Sequence, residues 1–204
     1  MNINFFERLM TNSPMRALLQ KKVEGPRLRS MALKERYPLC LELGCGNGRG
    51  VQVIMGLFGA GKVTATDIDP AQIERARKRL SQGKRYGGQV EFRLESATDL
   101  AGEPDGRYDA VFAFGVIHHT EDWRKAIREI KRVLRPEGEY FFDELLKGFL
   151  ESPPVKAVTK HPEGGMFSAE EFTGYLLQSG FRLSGRWQWD GIWLLGSAVK
   201  QEAG

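Results

Sequence analysis

The chain has 204 residues, 41% hydrophobic and 27% charged, a composition that suits one globular domain with a sizeable core. Its net charge of +4 is a mild excess, and the densest basic stretch, residues 74–85, falls on a predicted helix with only Tyr86 as an aromatic neighbour, so nucleic-acid binding is not expected. No apolar run approaches the ~18 residues of a membrane span, the first residues do not read as a secretory signal, and two cysteines, Cys40 and Cys45, make no disulfide framework, so the expected location is cytoplasmic.

Residues 1–38 read as an N-terminal helical segment, with Ser13 and Pro14 as the cap and first residue of a helix. From residue 39 short apolar runs alternate with helical patterns, the mark of a parallel α/β sheet. The first strand is LCLEL at 39–43. Beyond a glycine loop, Val51, Ile54, Met55 and Phe58 recur at helical spacing, so a helix runs to about Gly59. KVTAT at 62–66 is the second strand, and Asp69-Pro70 starts a helix that buries Ile73, Ala76 and Leu80. VEFRL at 90–94 and YDAVFAF at 108–114 are the third and fourth strands. Trp123, Ala126, Ile127, Ile130, Val133 and Leu134 form one apolar helix face, closed by Pro136, before a fifth strand at 139–143.

Residues 144–167, with three prolines and two adjacent glycines, read as a long connection with at most a short helix. Ser168 and Glu171 have capping-box spacing, and Phe172, Tyr175 and Leu176 give the last helix its buried face before Gly180. Two β-rich runs, 181–189 and 192–200, flank Asp190-Gly191, a hairpin signal that sends the last strand into the sheet antiparallel. The predicted fold is thus α/β, a mostly parallel seven-stranded sheet with an antiparallel C-terminal hairpin.

Residues 41–50, LELGCGNGRG, carry the chemistry. Glu42 ends an apolar run, and Gly44, Gly46 and Gly48 follow at every second position. Glycines at a strand-to-helix turn permit closed backbone angles and close approach of a ligand, and the helix start offers unpaired N–H groups. The loop suits a nucleoside-containing cofactor. A dinucleotide fingerprint would require a third glycine where Arg49 stands. Asp67 ends the second strand 19 residues after Gly48, placed to accept from vicinal ribose hydroxyls, while Asp69 already fills the role of helix cap.

LELGCGNGRG, then VTATDIDP, then YDAVFAFGVIHHTEDWRKAIREIKRVLRPEGEYFF together resemble a class I S-adenosylmethionine-dependent methyltransferase over roughly residues 39–143, and the Asp-Gly hairpin matches that family's last strand. The narrower similarity is to small-molecule enzymes that methylate quinone precursors. The resemblance implies a Rossmann-like three-layer sandwich in one methyltransferase domain, 1–204, whose cofactor is S-adenosylmethionine and whose product is S-adenosylhomocysteine. Its cofactor-binding core would be 39–143. Glu42 and the backbone of Gly44, Cys45, Gly46 and Gly48 would hold the methionine part, with Glu42 towards its ammonium. Asp67 would bind the ribose and Ile68 would pack on adenine. Where relatives carry Gly-Asp-Ala after the third strand, this chain has Glu95, Ser96 and Ala97. Ser96 would meet the adenine edge beside Ala97, and Asp99 or Glu95 could take over the missing acid's role.

The carboxyl end of the fourth strand presents Phe114, Gly115, His118 and His119, where open α/β sheets place ligands. His118 or His119 is either a general base or part of the pocket lining. His161, in the long connection, is a plain loop residue or reaches the acceptor. Three histidines and two cysteines at no metal-ligand spacing make a metal site unexpected, and two cysteines are too few for a cysteine-ligated iron–sulfur cluster. The acceptor is expected to be a small molecule, enclosed by 1–38 and 144–167, with 168–204 forming the last helix and hairpin. Phe5, Phe6, Leu9 and Met10 form an apolar cluster that packs on the sheet or, on the sharper reading, lids a hydrophobic acceptor. Two rival functions are a non-catalytic module keeping the cofactor fold and an NAD-dependent oxidoreductase.

Overall fold

The computed structural model describes residues 13–81, 88–159 and 161–202. The apolar cluster of Phe5, Phe6, Leu9 and Met10, and the end of the basic stretch with Tyr86, lie outside them. Helix α1 (Pro14–Leu19), a π-helical turn (Gln20–Glu24) and α2 (Gly25–Met31) precede the alternating core. Then follow β1 (Leu39–Leu43), α3 (Arg49–Leu57), β2 (Lys62–Asp67), α4 (Pro70–Ser81), β3 (Val90–Leu94) and β4 (Tyr108–Phe114). A 3-10 turn (Ile117–His119) leads to α5 (Trp123–Val133) and β5 (Leu134–Leu145). The connection that the sequence leaves nearly unstructured holds α6 (Lys147–Leu150), α7 (Pro153–Lys156) and a 3-10 turn (Glu163–Gly165). Helix α8 (Ala169–Gln178), β6 (Phe181–Trp189) and β7 (Trp193–Lys200) complete the described elements.

The sheet order is β3-β2-β1-β4-β5-β7-β6. The first five strands pair in parallel, whereas β7 pairs antiparallel with both β5 and β6. Parallel strands need helical crossovers, so both faces of the sheet are covered and side chains alternate between two cores. Leu41, Leu43, Val111, Ala113, Tyr140 and Phe142 face the core that holds α5 and α8 residues. Cys40, Ala110, Phe112 and Phe141 face the core built with α2, α3 and α4. Both cysteines are free and buried. Among the described residues no helix is long and apolar enough to cross a membrane.

Local signals act as the residue types dictate. Ser13 Oγ accepts from Arg16 N at 3.1 Å, and Ser168 and Glu171 make both capping-box bonds. At the hairpin, Asp190 and Gly191 take φ of +44° and +65°, as a type I′ turn requires, and Ile192 N donates to Trp189 O at 2.8 Å. The ladder nevertheless begins at Trp189 opposite Trp193, one residue later than the Asp-Gly pattern predicts. The reason is tertiary: the Ile192 carbonyl is taken by Leu146 N at 2.9 Å, which ties the turn to the end of β5. Strand β5 is also longer than its apolar run, because Arg135 to Gly138 loop out between the pairs Tyr108–Leu134 and Ala110–Glu139.

Trp123 anchors α5, packing against Phe167, Phe172 and Tyr175 with ring centroids 5.1–5.6 Å away. Trp123→Ala empties a fully enclosed space between α5 and α8 and is expected to cost about 3–5 kcal/mol. Urea unfolding followed by circular dichroism should show a lowered midpoint with an unchanged slope.

Candidate active site

The carboxyl ends of β1, β2 and β4 meet where the strand order reverses, and a cavity of about 790 Å³ opens there. Its floor is the β1–α3 loop. Gly44, Gly46 and Gly48 take φ of +59°, +52° and +81°, in the left-handed region that side chains resist. A Cβ on Gly44 would stand 2.5 Å from Val116 Cγ2, so this glycine lets the β4 loop close over the β1 loop. A Cβ on Gly46 would meet nothing within 4 Å, and Gly44 and Gly46 both line the cavity.

Two acids shape this loop. Glu42 is buried behind it, accepting the Val51 N–H at the start of α3, while its Oε2 has no hydrogen-bond partner among the described residues. Burial, with Asp67 nearby, pushes the Glu42 carboxyl well above the ordinary carboxylate range. Gly50 makes room for it, since a Cβ there would come within 1.8 Å of Glu42 Oε1. Gly50 lies beyond the alternating glycines Gly44, Gly46 and Gly48, and its only signal in the sequence is a glycine in the first turn of a helix. Asp67 lines the cavity, with Oδ2 accepting Gly46 N and Oδ1 accepting Asp69 N, both at 2.9 Å. The Ile68 N–H is a third backbone donor to this carboxylate, which leaves it acceptor capacity for one further donor. Burial raises its pKa, against those backbone bonds.

Ile68, Gln72, Glu95, Ser96, Ala97 and Thr98 line one side of the cavity. Ser96 Oγ is engaged with Thr98, at 2.9 Å from its Oγ1 and 3.2 Å from its N. Glu95 carries a buried, unpartnered Oε2, and burial beside Glu103 raises its pKa. Of the two acids offered as substitutes, Glu95 lines the cavity and Asp99 does not; Asp99 instead closes the turn on Ser96, donating its N to Ser96 O at 3.0 Å.

Phe114, Gly115, Val116, His119 and Thr120 line another side, with His161 and Pro162 from the long connection. His118 is placed differently from the pocket-facing role considered for it. It is buried, is not part of the lining, and its Nδ1 lies 2.6 Å from Glu144 Oε2. Glu144, at the end of β5, also accepts the N–H groups of Val116, Ile117 and His118 at 3.0–3.3 Å. Burial lowers the His118 pKa to about 3 and lowers that of His119 well below its ordinary value, so both imidazoles are neutral. Burial also raises Glu144, to about 8, but its backbone donors oppose this by favouring the carboxylate. Nδ1 of His118 carries the proton when Glu144 is ionised, and accepts one from the carboxyl when Glu144 is protonated. His161 packs on His119 at 4.7 Å and on His118 at 5.4 Å between ring centroids, a grouping that spacing along the chain conceals.

Among the predicted contacts, Glu42, Cys45 and Gly48 do not line the cavity; Glu42 is buried beneath the β1–α3 loop. The Cys45 side chain enters the core while its N donates to Thr66 O at 2.8 Å, and Gly48 approaches Ala76. Gly44, Gly46, Asp67, Ile68, Ser96, Ala97, Phe114 and His119 are brought together around it. Of the N-terminal segment, none of the described residues 13–38 lines the cavity.

A family model described as a methyltransferase domain matches residues 41–142, half of the chain. An O-methyltransferase of Penicillium expansum, cnsE, is 30% identical over 145 residues, covering 70% of this chain and 51% of that relative. A ubiquinone biosynthesis O-methyltransferase of Xanthomonas oryzae pv. oryzae is 36% identical over 105 residues, 52% of this chain and 42% of that relative. The chain thus spans about half the length of these curated relatives. A SAM-dependent methyltransferase from Aquifex aeolicus superposes with a TM-score of 0.75 at 19% identity, covering 98% of this chain and all of that one. The chain belongs to the methyltransferase-domain family and has the fold of class I S-adenosylmethionine-dependent methyltransferases, whose cofactor is S-adenosylmethionine. The residues present fit such a cofactor: an orphaned buried carboxylate oxygen lies behind a glycine floor open to the cavity.

Gly50→Ala should displace the Glu42 carboxylate and weaken S-adenosylhomocysteine binding by roughly 10–100-fold, the loss of one charge-assisted bond. Isothermal calorimetry on protein with an unchanged circular dichroism spectrum measures this. Wild-type affinity would separate Glu42 from the ligand.

Proposed function

We propose that the chain transfers the methyl group of S-adenosylmethionine to an oxygen of a small-molecule acceptor, by in-line displacement. The observation that carries this reading is the unpartnered Glu42 Oε2, buried near Asp67, beside a cavity that Gly44, Gly46 and Asp67 themselves line. Oxygen as the acceptor atom follows the two O-methyltransferase relatives. A volume of about 790 Å³ suits small molecules, whose sites span roughly 300–1,000 Å³.

The cofactor supplies a methyl group already activated on a sulfonium, so the protein's tasks are binding, alignment and exclusion of water. Glu42 accepts from the cofactor ammonium, Gly44 and Gly46 let its chain approach the backbone, and Asp67 takes the ribose hydroxyls. Ile68 packs on adenine, and Glu95, Ser96 and Ala97 meet its edge. Holding donor and acceptor in line supplies on the order of 7–11 kcal/mol of barrier lowering. His119 and His161 form the acceptor wall, and the 144–167 connection closes that end through His161 and Pro162. A depressed pKa makes His119 a weak base, so its work at this wall is orientation. His118 acts at one remove as a positioning residue, held by Glu144.

Incubation with labelled S-adenosylmethionine and a panel of phenols, catechols and hydroxyquinones should yield an O-methylated product with S-adenosylhomocysteine, identified by mass spectrometry. Failure of both sulfur nucleosides to bind would overturn the reading. Binding without any methylated product would favour the non-catalytic module.

A pH signature follows from Glu42. Its buried carboxyl is protonated in the free protein over a range where an exposed carboxylate would be ionised, and pairing with an ammonium requires the ionised form. Cofactor binding should therefore release a proton, and affinity should rise with pH, by up to tenfold per unit, until it levels off at the pKa of free Glu42. Calorimetry in two buffers of different ionisation enthalpy counts that proton. A count of zero at neutral pH would show that Glu42 is ionised before binding.

A further inference from the structure

Three histidines from two distant parts of the chain converge beside the cavity: His119 and His161 line it, and His118 is buried against both rings. His118 and His119 leave the end of β4, and His161 arrives from the long connection. One ring nitrogen from each lies within 4.8 Å of the other two. We propose that His118, His119 and His161 form a binding site for a divalent first-row transition metal of the zinc type, with its remaining coordination position directed at the acceptor.

Three features of the surroundings support a ligand set over a simple stack of rings. First, the donors are right: three imidazoles and an open position are the composition of catalytic zinc centres. Zinc–nitrogen bonds of ~2.0–2.1 Å put tetrahedral ligand nitrogens about 3.3 Å apart, so the present spacing of up to 4.8 Å must close by up to about 1.5 Å through side-chain rotation. Second, His118 has the outer partner that ligating histidines use. Glu144 Oε2 lies 2.6 Å from Nδ1, and the carboxylate is itself pinned by three backbone N–H groups. That bond fixes the ring and, when metal binding holds Glu144 ionised, leaves Nε2 as the nitrogen with a lone pair. Third, Glu121 and Asp122 line the same cavity as His119 and His161, together with Lys125; Asp122 is engaged by Arg128 and by the Lys125 N–H, which leaves Glu121 as the acid that favours a cation there.

The site also answers a chemical need. On the reading that the acceptor is a hydroxyl compound, on which this role rests, its oxygen must shed a proton to become a strong nucleophile. A hydroxyl bound in the open metal position loses that proton to solvent at lower pH than the free compound does. The ion thereby supplies what weakly basic histidines do not.

The test uses the full chain, stripped with chelator and then given Zn²⁺ or Co²⁺ alone, without cofactor or acceptor. We expect about one Zn²⁺ per chain to survive desalting. The Co²⁺ form should show visible absorption bands of low coordination number. X-ray absorption at the zinc edge should fit about three imidazole nitrogens near 2.0 Å. His161→Ala and His161→Gln, each with a wild-type circular dichroism spectrum, should lose stoichiometric metal at least tenfold. Sub-stoichiometric metal on the wild type, an absorption fit without imidazole, or undiminished metal in a folded His161 variant would each overturn the site. Where the variants misfold, the absorption fit on the wild type decides alone. S-adenosylhomocysteine calorimetry, run separately, distinguishes failure of the methyltransferase reading, since the metal measurements contain no cofactor.

Discussion

A carboxylate at the carboxyl end of one strand captures the backbone N–H groups of the loop leaving its neighbour, and the rest of the site depends on this. It happens twice. Asp67, closing β2, accepts from Gly46 in the β1 loop, and Glu144, near the end of β5, accepts from Val116, Ile117 and His118 in the β4 loop. Parallel strands all end on one side of the sheet, so their loops begin with unpaired donors at the same edge. Satisfying those donors with acids fixes two loops side by side, and Gly44 is what lets them touch across Val116.

The same arrangement divides the cavity. On one side lie groups suited to a nucleoside: the glycine floor, Asp67, Ile68, Glu95 and Ser96. On the other lie His119, Thr120, His161 and Pro162. The unpartnered oxygen of Glu95 belongs to a residue of the first side, and that of Glu42 is buried close to Asp67. A buried carboxylate oxygen without a donor is costly, and a site that binds a cationic or amine-bearing ligand is where such a cost is tolerated. On the acceptor half, Arg16 pairs with Glu24 and, at 3.2 Å, with Asp143, so the N-terminal helix is pinned near the β5 end without entering the cavity. Burial raises the Glu24 carboxyl to about 9, against the pull of that guanidinium.

Most of the fold was legible because hydrophobic period and turn chemistry are local. Alternation in the core strands, the apolar face of α5, the capping box at Ser168 and the Asp-Gly turn each depend on residues only a few positions apart. The misreadings mark where a distant partner intervenes. Ile192 falls outside the β6–β7 ladder because Leu146 claims its carbonyl, and 144–167 gains short helices within a stretch whose prolines read as loop. Cys45 sits inside the glycine motif, yet its side chain turns into the core and only its backbone stays with the loop.

By itself the sequence determined the class of site. Glu42, three alternating glycines and Asp67 sit within 26 residues, close enough for local geometry to place them at adjacent strand ends. Tertiary structure alone decided what the other half of the cavity holds. His161 lies 42 residues beyond His119, and Glu144 lies 26 beyond His118, separations for which no spacing rule exists. Their convergence comes from the order in which strands pair and from the path of the connection that leaves β5. A pattern along the chain encodes neighbours on one element, whereas contacts between loops of different strands are set by the packing of the whole sheet.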